Sequence, residues 1–511
     1  LLEPERTASE EDPQIRSKFL NANTLALLFV ALSFGLSLWV NTHIFENMAH
    51  VEDEIAYMWQ AQVIARGALS RPTPEFPEHF LVPFVVDHAG QRFGKYPLGW
   101  PALLSAGVRF GIRNLVNPLL GALAVWLTYL LGKRVRDARV GLLAAGLLVV
   151  SPFFLLNTGS LMAHPLGLVL AAAFVLFWTD SFCYDEIRWW KSAVIGLALG
   201  ALALTRPLSA LAVAVFYFYH GVLLLRWSDR RLRLHVLSIG VLAVGVGLLH
   251  FVWQFAVTGD PLTNPYTLWW PYDHIGFGPG AGRYGHDLPL ALSTTYTSLF
   301  AFANDLNGWP RISWLFIPLG LWALREDRTA LQAVSPLFTL IALYSAYWIG
   351  ASLFGPRYYF EALYAAMILT AAGIVFVWDH ALTRIDVSFQ RLALGILLIA
   401  LTGLNLFAYL PGRLGEMRGL FGVNRAMLVP FEAGRVAHLA PAMILVHPEH
   451  WAQYGGLLEL QDAWLEDEIL FVTTRNVVND AAFFDHYTQL GWAIYHYYPD
   501  EPGKLYTGAR R

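Results

Sequence analysis

Residues 21–61 decide the fold: the apolar run Asn21–Val40, NANTLALLFVALSFGLSLWV, is followed after a short gap by His50-Val51-Glu52-Asp53-Glu54-Ile55-Ala56-Tyr57-Met58-Trp59-Gln60-Ala61. A run of this length without one charge can cross the roughly 30 Å hydrocarbon core of a bilayer as a helix. No small-residue cleavage pattern follows it, so it reads as a retained span rather than a removed signal peptide. The carboxylates just beyond it sit where charge is costly unless it is used. From Ile55 the apolar spacing suits an amphipathic helix lying at the interface, with Asp53 and Glu54 at the N-terminus, where the helix dipole favours them as caps.

The apolar pattern recurs outward from this stretch. Of 511 residues, 56% are hydrophobic and 14% charged, against about 25% charged in an average soluble domain, which excludes an ordinary water-soluble enzyme. Further runs fall near residues 115–132, 140–157, 162–179, 192–205, 208–225, 236–257, 312–325, 331–350, 358–378 and 392–410, giving about eleven to thirteen spans with the first. The expected fold class is an α-helical polytopic membrane protein. It has a polar cytoplasmic tail over 1–20, a transmembrane domain over 21–410 with outer loops at 42–111 and 258–310, and a small extracytoplasmic α/β domain over 411–511. In that last part Ala442–Val446 and Ile469–Thr473 read as strands, Val478–Leu490 as a helix and Trp492–Tyr498 as a third strand.

Orientation follows from lysine and arginine, which collect in short cytoplasmic loops. Five such clusters occur: Lys133, Arg134, Arg136 and Arg139; Arg188 and Lys191; Arg226, Arg230, Arg231 and Arg233; Arg325 and Arg328; Arg384 and Arg391. All five fall on one side only if residues 97–111 lie along or dip into the outer face without crossing. The N-terminus is then cytoplasmic and the C-terminal domain extracytoplasmic, as expected of a multi-pass protein of the plasma (inner) membrane. Basic residues form no continuous patch and the net charge is −3, so nothing points to nucleic acid. A single cysteine, Cys183, excludes an internal disulfide framework.

The few charges left at the opposite boundary carry the functional signal. Lys95 lies in Arg92-Phe93-Gly94-Lys95-Tyr96-Pro97 at the point of membrane entry, where it can snorkel to the headgroups or hold a phosphate. Thr205-Arg206-Pro207 breaks a long apolar stretch; it is either a structural hairpin or a cation held for an anionic partner. Arg357 opens a late span, and Glu361 one helical turn on can neutralise it as an i,i+4 pair. Together, a carboxylate pair and the cations Lys95, Arg206 and Arg357 are what an enzyme needs to take a sugar from a lipid phosphate. The cations hold the leaving group and a carboxylate takes the proton of the acceptor hydroxyl.

These motifs carry a family likeness. The acidic pair after the first span with Tyr57 and Ala61 downstream, the aromatic-x-Lys-x-Pro entry at Phe93–Pro97, Arg206-Pro207 and Arg357-Tyr358-Tyr359 resemble the GT-C glycosyltransferases. The likeness runs over residues 20–410 and is strongest to the branch of protein O-mannosyltransferases and aminoarabinose lipid A transferases, glycosyltransferase family 39. It implies an inverting transferase of EC class 2.4, moving a sugar from polyprenyl phosphate to a lipid, glycan or protein acceptor on the extracytoplasmic face. In that pattern Asp53 matches the catalytic base with Glu54 its neighbour, Lys95 the lysine on the donor phosphate, and Arg357 the arginine opening a late span. The sequence departs from the pattern at Gly94, where an acid often precedes the lysine, and at Tyr96, where a second proline is common. Acceptor type and the detail of phosphate binding stay open there.

The second long loop, Asn264-Pro265-Tyr266-Thr267-Leu268-Trp269-Trp270-Pro271-Tyr272-Asp273-His274, is dense in aromatics. Tyr266, Trp269, Trp270 and His274, with Tyr96 and Tyr358, suit a sugar or polyprenyl surface; an interfacial aromatic belt explains the two tryptophans equally well. No cofactor is expected. His50, His274 and His286 with acidic neighbours have no metal-ligand spacing, which leaves a divalent metal as the minor option. The rival class is a transporter or flippase of a lipid-linked or small solute. It would want ionisable groups at mid-membrane and broken helices in paired halves, whereas the span interiors here are nearly free of charge.

Overall fold

A computed structural model describes residues 21–184, 187–380 and 386–510. The expected cytoplasmic tail over 1–20 and Arg384 lie outside the described residues. The first span is α1 (Ala22–His43), whose N-terminus is capped by the Asn21 side chain. There follow α2 (Glu52–Ala65), α3 (Gly99–Arg109), α4 (Arg113–Val135), α5 (Ala138–Val149), α6 (Pro152–Gly159), α7 (His164–Thr179), α8 (Trp189–Thr205), α9 (Pro207–Trp227) and α10 (Arg230–Thr258). Beyond the second long loop come α11 (Pro265–Trp269), α12 (Leu288–Asp305), α13 (Ile317–Leu324), α14 (Arg328–Val334), α15 (Pro336–Tyr344), α16 (Leu363–Asp379) and α17 (Val387–Leu404).

Among the described residues seven helices are long and apolar enough to cross a membrane, or eight if α5 and α6, bent by 60°, make one span. The chain is a multi-pass membrane protein. The other expected spans are shorter helices for a common reason. Pro152, Pro207, Pro318 and Pro336 stand at helix starts, where the missing N–H costs nothing, and Pro152, Pro207 and Pro336 each follow closely on the end of the helix before. The segment 258–310, expected as a loop, contains the 18-residue helix α12.

At the centre runs α16, buried at every position from Leu363 to Val375. It approaches α13 so closely that a Cβ at Gly320 would overlap the Leu369 carbonyl and one at Gly373 the Phe316 carbonyl. Small residues at a helix crossing let the backbones touch, the packing that serves in lipid.

Two elements build the site, and the first of them differs from the sequence expectation. Helix α2 does not lie on an interface: Glu54 to Ala61 are all buried. Helix α3 has 11 residues, a rise of about 16 Å, so the piece over 97–111 does not cross. Between them strands β1 (Arg71–Pro72), β2 (Val85–His88) and β3 (Gln91–Gly94) form an antiparallel sheet with β3 in the middle, and Lys95 follows directly from β3.

The C-terminal part carries β4 (Ala442–Val446), β5 (Ile469–Thr473), β6 (Ala493–Tyr497) and β7 (Leu505–Tyr506) in the order β5-β4-β6-β7, with β4 parallel to both neighbours. Helix α18 (Val477–Gln489) packs on it. This unit is tied to the segment between α2 and α3. Thr473 N–H donates to the His79 carbonyl at 2.8 Å, His79 Nε2 lies 3.0 Å from Asp480, and the His79 ring stacks on Phe483. Arg66 pairs with Asp462 and Glu466, and Arg113 with Glu459.

The basic clusters meet at one end of the bundle. Arg134 and Lys191 share Asp180, Arg139 grips Asp379 at 2.9 Å, Arg136 reaches the Ala323 carbonyl, and Arg231 the Ile187 carbonyl. Helices α7 and α16 end at this cluster, and α8 begins there. His164 and Thr205 at the other ends of α7 and α8, and Arg357 in the turn that leads into α16, line a cavity at the opposite end of the bundle.

Candidate active site

The cavity has a volume of about 470 Å³. Of the residues singled out from the sequence, Asp53, Lys95, Tyr96, Arg206, Tyr266, Trp270, His274, Arg357 and Tyr358 line it. They come from segments more than 300 residues apart in the chain, brought together because ends of α2, α8, α9, α15 and α16 converge.

Asp53 sits in the first turn of α2. Tyr96 OH donates to its Oδ1 at 2.6 Å, and Arg357 Nη2 lies 3.5 Å from Oδ2. Burial opposes its charge, but Arg357, the Tyr96 hydrogen bond, Lys95 and Arg206 outweigh it and hold the carboxyl below its ordinary pKa. The result is an ionised carboxylate with its side chain 20% exposed. Its neighbour Glu52 also lines the cavity, and burial with the Asp53 charge raises its pKa.

Glu54 does something else. Its carboxylate accepts from the backbone N–H groups of His50, Val51 and Leu161 at 2.8, 3.2 and 2.7 Å and is absent from the cavity lining. One side chain thus closes the N-terminus of α2 and pins it to the chain entering α7. Of the expected carboxylate pair only Asp53 faces the cavity, because adjacent helical residues point about 100° apart. Trp269 likewise turns away and packs edge-on against Phe84, while Trp270 lines the cavity.

Lys95 does not snorkel: it is 3% exposed. Its Nζ lies 3.7 Å from the Phe84 ring centre and 4.5, 5.0 and 5.3 Å from those of Trp270, Tyr266 and Tyr96, an aromatic cage that attracts a cation through the ring quadrupoles. Asp273 Oδ2 is 3.9 Å away, and its other oxygen accepts from Tyr347 OH and Trp348 Nε1. Burial dominates and lowers the ammonium pKa to about 8, with Asp273 and Asp53 opposing.

Arg357 and Glu361 do not form the expected i,i+4 pair. Residues Arg357–Ala362 form a 3₁₀ helix, in which position i+3, not i+4, lies over i. Glu361 is thereby turned to Arg206, whose Nε is 2.6 Å from its Oε1, and Arg357 is left for Asp53. The Tyr358 ring lies between the two guanidiniums, 5.7 Å from that of Arg206 and 5.8 Å from that of Arg357. Three cation–carboxylate pairs result: Lys95 with Asp273, Arg206 with Glu361, Arg357 with Asp53. Asp273, Glu361, His164, Tyr344 and Tyr347 were not singled out from the sequence as site residues.

Among the described residues no three of His, Cys, Asp and Glu gather in a metal-binding group. His50 is buried against the Met48 carbonyl and His286 Nε2 meets the Ser345 carbonyl, so the three histidines considered from the sequence serve different places.

Comparison with known proteins follows this geometry. The family described as oligosaccharyl transferase STT3, N-terminal, matches residues 110–262. No curated protein matches the sequence. Among solved structures, ArnT from Cupriavidus metallidurans bound to undecaprenyl phosphate superposes with a TM-score of 0.57 at 14% identity, covering 92% of this chain and 89% of that one. The archaeal oligosaccharyltransferase AglB from Archaeoglobus fulgidus, in complex with an inhibitory peptide and a dolichol-phosphate, gives 0.51 at 14% identity, covering 88% of this chain and 64% of that one. This chain has the GT-C fold of membrane glycosyltransferases.

Proposed function

We propose that the protein is an integral membrane glycosyltransferase that moves a sugar from a polyprenyl-phosphate donor to a lipid, glycan or protein acceptor, with inversion at the anomeric carbon. The observation that carries this reading is the meeting, in one cavity at one end of the bundle, of a partly exposed carboxylate with one buried and two partly buried cations. Support comes from the fold and from the undecaprenyl and dolichol phosphates bound by ArnT and AglB.

In this reading Asp53 is the base that takes the acceptor hydroxyl proton as the oxygen attacks the anomeric carbon. The bond to the donor phosphate breaks, and polyprenyl phosphate leaves with its added negative charge next to Lys95, Arg206 and Arg357. Tyr96 holds Asp53 in place. Tyr266, Trp270, Tyr358 and His274 offer ring faces and polar edges to sugar and prenyl chain. The basic end of the bundle faces the cytoplasm by the charge rule, which turns the cavity and the C-terminal domain outward. A transporter would use ionisable groups deep in its spans, whereas these sit at helix ends.

The test is transfer of radiolabelled sugar from polyprenyl-phosphate donors by the purified, lipid-reconstituted protein. Labelled product with release of polyprenyl phosphate, abolished in Asp53→Asn, is the expected result. Full activity in that variant removes Asp53 as base, and solute movement without transfer removes the enzyme reading.

A further inference from the structure

We propose that Glu361 is a positioning residue: it holds the Arg206 guanidinium in the one orientation that presents a free corner to the donor phosphate. The proposal rests on the reading of the cavity as a polyprenyl-phosphate site.

Glu361 is fully buried, on the 3₁₀ helix that leads into α16, and does not line the cavity. It fits there because Gly167 of α7 leaves room, since a Cβ on Gly167 would come within 2.8 Å of the Glu361 side chain. Its Oε1 forms an ion pair with Arg206, 2.6 Å from Nε, and lies 3.4 Å from His164 Nδ1. On the other side Arg206 Nη2 donates to Tyr344 OH at 3.1 Å, and that hydroxyl is itself 2.9 Å from Ser209 Oγ. Nε also reaches Ser209 Oγ, at 3.4 Å. Among the described residues only Nη1 of this guanidinium has no hydrogen-bond partner, and Arg206 lines the cavity.

An arginine is a planar fork on a flexible stem, and fixing two of its three nitrogens decides where the third points. Arg357 is not fixed in this manner: among the described residues its guanidinium meets the Asp53 carboxylate at 3.5 Å and the Tyr358 ring, with no hydrogen bond to hold its plane. A division of labour follows. Arg206 is built to bind, and Arg357 to couple the base to the leaving group.

A carboxylate that merely offset the charge of Arg206 would compete with phosphate, and its removal would tighten binding. A positioning carboxylate does the opposite, so the sign of the effect decides. The measurement is equilibrium binding of undecaprenyl phosphate by the whole protein in detergent, followed by tryptophan fluorescence, in a cycle of wild type, Glu361→Gln, Arg206→Gln and the double variant. Glu361→Gln is expected to weaken binding about five- to tenfold in the wild-type background and less than about twofold once Arg206 is gone. Tyr344→Phe, which removes the second tether with one oxygen atom, is expected to behave the same way and carries the test if Glu361→Gln does not fold. Unchanged or tighter binding in these variants, or a loss undiminished in the Arg206→Gln background, overturns the proposal alone. Wild type that binds no undecaprenyl phosphate overturns the site reading and this proposal with it.

Discussion

At the scale of single residues, the site is a set of opposite charges separated by distances of 2.6–3.9 Å, and two of its groups set the pH behaviour. The Asp53 carboxyl is held below its ordinary range, so it stays ionised from mildly acid pH upward. Lys95 is cationic only below about pH 8. As pH rises through that value the cavity loses a positive charge, and kcat/KM for the donor is expected to fall by roughly tenfold per unit on the alkaline side. The fall in kcat comes at higher pH, because bound phosphate favours the charged ammonium. Lys95→Arg, which stays protonated, removes this limb; a profile that keeps it assigns the limb elsewhere. Asp53→Asn is expected to lower kcat by about 10²–10⁴-fold while leaving donor binding intact, because Arg357 is then released to the phosphate. Measuring KM and kcat separately checks this, and a rise in KM alone contradicts it.

At the scale of elements, the positions of these residues depend on tight helix contacts and on backbone hydrogen bonds. A Cβ at Gly99 on α3 would overlap the Thr205 hydroxyl and come 2.9 Å from its backbone nitrogen, directly before Arg206. Gly99→Ala should therefore shift the α8–α9 junction and cost about 10–100-fold in kcat/KM. Gly240→Ala, in the interior of α10 with nothing within 4 Å, should leave activity and melting temperature at or above wild type. Equal behaviour of the two would remove the packing argument. The part of this that the sequence made legible follows charge cost. Arg206, Arg357 and Lys95 stood out because cations beside apolar stretches are expensive, and the tail's strands because they are short β-rich runs. Glu361 pointed to the wrong partner because a 3₁₀ turn, invisible in the spacing, replaced the α-helical one. Asp273 and Tyr344 carry no local signal at all, as their approach is decided by how distant helices pack.

At the scale of the whole molecule, the C-terminal sheet is part of the scaffold that delivers Lys95. It grips the segment before β2 through His79, which is buried between Asp480 and Phe483, and the β2–β3 hairpin leads straight to Lys95. Asp480 also accepts from the Thr474 hydroxyl and the Arg475 N–H. Asp480→Ala should lower stability by about 1–3 kcal/mol and weaken donor binding although it lies outside the cavity. Thermal unfolding alongside binding reads both, and loss of stability with unchanged binding would make the domain a passive appendage. The central claim, that one cavity opposite the basic end binds a polyprenyl phosphate, is tested by determining the structure of the lipid-embedded protein with undecaprenyl phosphate. Phosphate density touching Lys95, Arg206 and Arg357 beside Asp53 is the expected result. Phosphate bound elsewhere, with the cavity unchanged, would contradict it.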